Sequence, residues 1–406
     1  MKAYERLLNY VSYMTPSDEN SETVPSSQCQ FNLANALVEE MKGLGIEDAA
    51  VDEKCFVYGH IAATPGYENV TPIGFIAHMD TVSDFCDHDA NPVLHENYDG
   101  GDVTLGDSGL VLSPEMFPHL TTLKGRTLIT TDGTTILGAD DKAGIAEIMT
   151  AVSRLDEIPH GPLSIAFTPD EEIGTGAQSF DVPRFNAKYA YTLDGDTEGE
   201  IQYETFNAAK AEITVHGTAT HPGSAKNVMV NAALVAMELD TLLPAAERPE
   251  RTEGREGFFH LISINGGVTE AKATYLLRDL DGRCFEARQL TMQQAVKFLN
   301  EKYGEGTVEL DMNIQYRNMA DVIETCPETV EFAKKACAAA GVEEIITPVR
   351  GGTDGSQLSY KNLPCPNLGT GGHAYHGPYE HITVEGMDMA VEVVMNLIRI
   401  YAEETK

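Results

Sequence analysis

At 406 residues, 42% of them hydrophobic, the chain exceeds the size at which a single core stops growing, so two domains are expected. Its 63 acidic and 28 basic residues leave a net charge of −35. Such a field repels nucleic acid and anionic membrane surfaces and attracts cations, metal ions and peptide amino termini among them, although it serves general solubility equally well. No run of about 18 apolar residues is present to span a membrane. Glu5 and Arg6 stand where a signal peptide needs apolar side chains. The seven cysteines are scattered without a Cys-x-x-Cys pair, which reads as reduced thiols in a cytoplasmic protein.

In chain order, Leu33, Leu37, Met41 and Leu44 follow helical spacing, and Gly45 suits the C-cap. Phe56–Ala62 and Ile73–His78 read as strands, the second apolar enough to be buried on both faces. Thr127–Thr131 is a further strand. Ile145, Ile148, Met149, Val152 and Leu155 predict a helix that starts close to Lys142. Leu163–Thr168 and Tyr189–Leu193 continue an alternation of strands and helices that implies an α/β sheet with a substantial parallel component. The middle of the chain changes character: a strand at 211–216, a helix at 228–243, a hairpin turning at Gly266-Gly267, a helix at 285–303 and a strand at 307–316. Residues 207–317 are therefore expected to form a small α+β domain inserted into a first domain of residues 1–206 and 318–406.

The chemistry concentrates at strand ends, where ligands of such sheets collect. His78-Met-Asp80 closes one strand, Glu171-Glu172 follows another, and Asp194 ends a third. Asp140 and Asp141 sit between small residues where the Lys142 helix begins. One bridging carboxylate, with a His and a further carboxylate for each ion, is how a dinuclear zinc site is built. Asp140 suits the bridge and His78 with Asp194 one ion. The second ion would take one of Glu171 and Glu172, and one of His373, His376 and His381; spacing does not decide between them. The remaining glutamate must stay unligated to move a proton. Asp80, two residues past His78, can reach the distal ring nitrogen and fix the tautomer, whereas Asp141 reads as a neighbour that sets geometry.

Together these residues resemble the co-catalytic zinc aminopeptidase and carboxypeptidase superfamily that includes aminoacylase and carnosinase relatives. Within it they resemble the peptidase T family of cytosolic aminotripeptidases. The resemblance runs end to end through His78-Met-Asp-Thr, Glu96-Asn-Tyr-Asp-Gly-Gly-Asp, Leu112-Ser-Pro-Glu-Met-Phe-Pro, Leu128-Ile-Thr-Thr-Asp-Gly, Gly138-Ala-Asp-Asp-Lys-Ala-Gly, His221-Pro-Gly, Arg350-Gly-Gly-Thr-Asp-Gly and Tyr375-His-Gly. It implies His376 and Glu172 as ligands, Glu171 as general base, a cis peptide between Asp140 and Asp141, and a ferredoxin-like lid. It also implies that His221 polarises the scissile carbonyl. Arg350 and Arg278 are the candidates for the substrate's terminal carboxylate, since a guanidinium pairs bidentately with that group. The extra histidines in Gly371–His381 and the segment Asp281-Gly-Arg-Cys284 depart from the family pattern.

The expectation is thus an α/β zinc-peptidase domain with a mixed, largely parallel sheet flanked by helices, plus an inserted ferredoxin-like α+β lid. The function expected is release of the N-terminal residue from short peptides, most of all tripeptides, by metal-bridged hydroxide with two Zn2+ ions, Co2+ and Mn2+ being compatible substitutes. A related dipeptidase or N-acyl-amino-acid amidohydrolase, or a non-catalytic peptide- or metal-binding module, stays open as an alternative. Exposed strand edges in the inserted domain leave pairing into a homodimer open.

Overall fold

In the computed structural model, which describes residues 1–406, the chain divides into two units. One comprises Met1–Tyr203, Asp321–Thr347 and Thr353–Lys406, the other Glu204–Ala320 and Pro348–Gly352. The sequence reading leaves Pro348–Gly352 in the first domain; contacts assign it to the second unit.

In the first unit, β1 (Val57–Ile61), β2 (Ile73–His78), β3 (Leu163–Thr168) and β4 (Tyr189–Gly195) belong to an eight-stranded mixed sheet. β2 lies between β3 and β4 and parallel to both, with His78 level with Thr168 and Ile76 level with Thr192. Asn367–Gly369 extends the parallel centre beyond β4. β1 joins β3 antiparallel, and Glu200–Gln202 joins Asn367–Gly369 antiparallel. Every residue of β2 and β3 is buried, which accounts for their unbroken apolar character. The carboxyl ends of three parallel strands therefore open on one edge of the sheet.

Helix α1 (Ala139–Val152) packs beside that edge and is buried on nearly every side. Its first turn is not helical: Asp140 has φ −81° and ψ 104°, Asp141 φ −120° and ψ 34°, so regular helix starts at Lys142. Gly144 permits the close approach of α1 to β4, because a Cβ there would stand 2.0 Å from the Leu193 carbonyl oxygen. A second, four-stranded sheet orders Gly372–His373, His381–Thr383, Leu128–Thr130 and Val93–His95, and the loop between its first two strands carries His376. The C-terminal helix Val384–Glu404 follows, capped by the Thr383 side chain, which accepts the Gly386 N–H.

The second unit runs β5 (Asn207–His216), α2 (Ala232–Leu242), β6 (Phe258–Gly266), β7 (Glu270–Asp279), α3 (Gly282–Tyr303) and β8 (Val308–Tyr316). Its antiparallel sheet has the order β6-β7-β5-β8, the ferredoxin-like arrangement of a βαββαβ chain. Val235, Leu239, Phe259, Tyr275, Leu277, Phe285 and Leu299 share its core. Asp281, in the segment that departs from the family pattern, caps α3 by accepting the N–H groups of Arg283 and Cys284. No helix in either unit is long and apolar enough to cross a membrane, and all seven cysteines are free.

Candidate metal centre

His78 ends β2 and is buried. Its Nδ1 lies 3.0 Å from the backbone carbonyl of Asp80, an acceptor, so the proton belongs on Nδ1 and the Nε2 lone pair faces the opposite way. There Nε2 meets Asp140 Oδ1 at 3.0 Å and Asp194 Oδ1 at 3.4 Å. His376, in a loop with φ of 62°, turns its Nε2 to Asp140 Oδ2 at 3.0 Å and Glu172 Oε2 at 3.1 Å. The two oxygens of Asp140 thus serve different groups. His78, Asp140 and Asp194 form one set of converging ligand atoms, and Asp140, Glu172 and His376 form the other, each within 4.8 Å.

The electrostatics fit cations between these groups. Burial pushes the Glu172 carboxyl up to about 7, and the charge of Asp140 adds to it. Burial also raises Asp194. The hydrogen bonds to Asp140 and Glu172 pull His376 up to about 11. Three carboxylates facing two imidazoles carry a surplus of negative charge, and their nitrogen and oxygen donors suit zinc, cobalt or manganese.

Asp80 acts on both sides. Its Oδ1 stands 3.4 Å from His78 Nδ1, farther than its own carbonyl oxygen. Its carboxylate also accepts the N–H of Glu171 at 3.0 Å and of Glu172 at 3.2 Å. No hydrogen bond engages the Glu171 carboxylate, which burial and then the charge of Asp194 push well above the ordinary range. The Asp140–Asp141 peptide is cis. Asp141 turns inward and accepts the N–H of His78 at 3.1 Å and of Gly144 at 3.3 Å.

Of the three neighbouring histidines, only His376 faces carboxylates. His381 is fully buried, with its Nε2 2.8 Å from His119 Nε2, and the His373 ring lies 4.2 Å from that of His119. Sequence reasoning passes over Glu380, which is buried and accepts the N–H of Gly138 at 2.8 Å and of Asp140 at 3.0 Å. It also passes over Asp354, whose Oδ2 accepts the Thr168 hydroxyl at 2.7 Å. Glu380 carries no local signal, since a lone acidic residue in a loop is ordinarily solvated, and Asp354 enters the sequence reading only as part of Arg350-Gly-Gly-Thr-Asp-Gly, with no role of its own.

The other three candidates lie in the second unit. His221 is exposed, and its Nδ1 accepts the Gly223 N–H at 3.1 Å, which leaves the proton of a neutral ring on Nε2. The Arg350 guanidinium is committed within its own unit: it donates to the carbonyls of Gly254 and Glu256 at 2.8 Å and to Thr252 Oγ1 at 3.0 Å, and it covers the Phe206 ring. Arg278 is less engaged, with one long contact of 3.4 Å to the Arg350 carbonyl and a buried Nε that has no partner.

Residues 132–400 match the sequence profile of peptidase family M20/M25/M40. The chain is 51% identical to a peptidase T of Bacillus licheniformis over 99% of each chain, and 51% identical to a peptidase T of Bacillus subtilis over 97% of each. Among solved structures, aminopeptidase PepT from Bacillus cereus superposes with a TM-score of 0.76 at 26% identity over 98% of both chains. With that family profile spanning most of the chain and with full-length relatives at this identity, the chain belongs to peptidase family M20/M25/M40.

Proposed function

We propose that this chain is a metal-dependent aminopeptidase that releases the N-terminal residue from short peptides, tripeptides foremost. The observation that carries the reading is the split of Asp140, one oxygen toward His78 and the other toward His376, with the unengaged Glu171 next to Glu172 in the chain. The full-length likeness to peptidase T relatives supports the substrate class.

In this reading His78 and Asp194 would hold one zinc and Glu172 and His376 the other, with an oxygen of Asp140 in reach of each. When bound, the two cations supply Lewis acidity that acidifies a water and polarises the scissile carbonyl. Glu171, its backbone pinned by Asp80, takes the proton from that water and passes it to the departing amine. His221 donates from Nε2 to the oxygen that gains charge. Of the two arginines, Arg278 makes the fewer hydrogen bonds and is the candidate for a terminal carboxylate.

Hydrolysis of a free tripeptide, its N-acetylated form and the matching dipeptide, before and after chelation and zinc restoration, tests the proposal. Zinc-restorable release of the N-terminal residue from the free tripeptide alone is the expected result. Cleavage of the blocked peptide or dipeptide in its place would move the function to an amidohydrolase or dipeptidase.

A further inference from the structure

The motif Tyr375-His-Gly places a half-buried tyrosine directly before His376, and the tyrosine belongs to neither ligand set. The two histidines of those sets are held differently. His78 is buried, and its Nδ1 is backed by the Asp80 carbonyl at 3.0 Å. The His376 side chain is 53% exposed, its Nδ1 meets no protein group, and only Nε2 is engaged, on Asp140 and Glu172. A ligating imidazole is ordinarily steered from its far nitrogen. With neither that contact nor burial, the aim of His376 rests on its backbone. That backbone is strained: Ala374 has φ 56° and His376 φ 62°, two left-handed residues with side chains on either side of Tyr375. Such conformations persist only where their surroundings over-determine them.

Tyr375 supplies the restraint. Its hydroxyl turns back to donate to the Gly195 carbonyl at 3.1 Å and lies 3.0 Å from Thr370 Oγ1. Gly372 makes room for it, because a Cβ there would stand 2.3 Å from the hydroxyl oxygen. Gly195 directly follows Asp194, a member of the other ligand set, so this hydrogen bond ties the His376 loop to the end of β4. Thr370 anchors only the chain ahead of the loop, its N–H and hydroxyl meeting the same carbonyl at 3.2 and 3.0 Å. Glu380 anchors the far end of the loop on Asp140. Within the dinuclear reading, on which this rests, we propose that Tyr375 is the positioning residue for His376. Its hydroxyl holds the loop in the conformation that aims Nε2 at the ion of Asp140, Glu172 and His376, and so couples the two ligand sets.

Tyr375→Phe removes the hydroxyl alone and leaves Thr370 on the Gly195 carbonyl, so the fold keeps its packing. Metal-free wild type and variant are titrated with zinc in competition with a chromophoric chelator, which reads the two affinities separately. One of the two should fall by about 10–100-fold in the variant and the other should hold. The Tm of the metal-free variant should stay within about 2 °C of wild type. At zinc just sufficient to load the wild type, kcat should fall while KM for a free tripeptide holds, and added zinc should recover most of the loss. Equal affinities in wild type and variant, or a loss spread evenly over both ions, would overturn the assignment of Tyr375 and leave the dinuclear reading intact. A wild-type chain that takes up no second zinc would overturn both.

Discussion

The Asp80 carboxylate accepts the backbone N–H of Glu171 at 3.0 Å, so the residue placed two beyond His78 also sets the glutamate that follows β3. Through Glu172 the same carboxylate reaches a member of the second ligand set. Asp80→Ala removes acceptors from two backbone N–H groups and a carboxylate from the His78 ring. We expect kcat to fall by about 10–100-fold, with weaker zinc retention. Asp80→Asn keeps one acceptor oxygen and should lie between. Unchanged turnover and zinc content in the alanine variant would remove Asp80 from the site.

Glu171→Gln keeps the size of the side chain and abolishes its basicity. Since Glu171 belongs to neither ligand set, both zinc ions should remain, while kcat drops by about 10²–10⁴-fold. Elemental analysis beside single-turnover kinetics checks this; loss of one zinc would show Glu171 to be a ligand instead.

The arginines should separate by readout. Arg350→Ala removes two solvent-exposed hydrogen bonds to the carbonyls of Gly254 and Glu256, and we expect a loss of about 1 kcal/mol in stability, visible as a lower Tm. Arg278→Ala should leave Tm nearly unchanged and raise KM for a free tripeptide about tenfold or more. A KM effect confined to Arg350→Ala would reverse the assignment.

The buried His381 predicts a pH dependence. Burial depresses its pKa from 6.5 to about 4. Above pH 6.5 the ring is neutral in both the folded and unfolded states and adds no slope. As pH falls from 6.5 through 4, the unfolded chain takes up a proton that the folded chain refuses, and stability drops by roughly 3 kcal/mol. His381→Asn can still donate to the Tyr379 carbonyl, which Nδ1 now meets at 2.7 Å, and should flatten the slope of Tm over that window. An unchanged slope would show that His381 is not its source.

Much of this molecule is legible in its sequence because the signals are local. The unbroken apolar run of Ile73–His78 follows from burial on both faces, and the helical spacing after Lys142 marks where α1 becomes regular. His78, Glu171, Glu172 and Asp194 stand out because each follows or ends such a strand, and the parallel register then brings those ends to one edge. Three things needed the tertiary structure. Which of His373, His376 and His381 faces the carboxylates depends on a loop between two strands, not on spacing. Glu380 acquires its role only because it meets Asp140 across 240 residues of chain. Arg350 looks free in a Gly-rich segment, yet its donors are claimed by carbonyls about 95 residues away in sequence. Local pattern reports how a segment is buried; which distant polar group it meets is decided by packing alone.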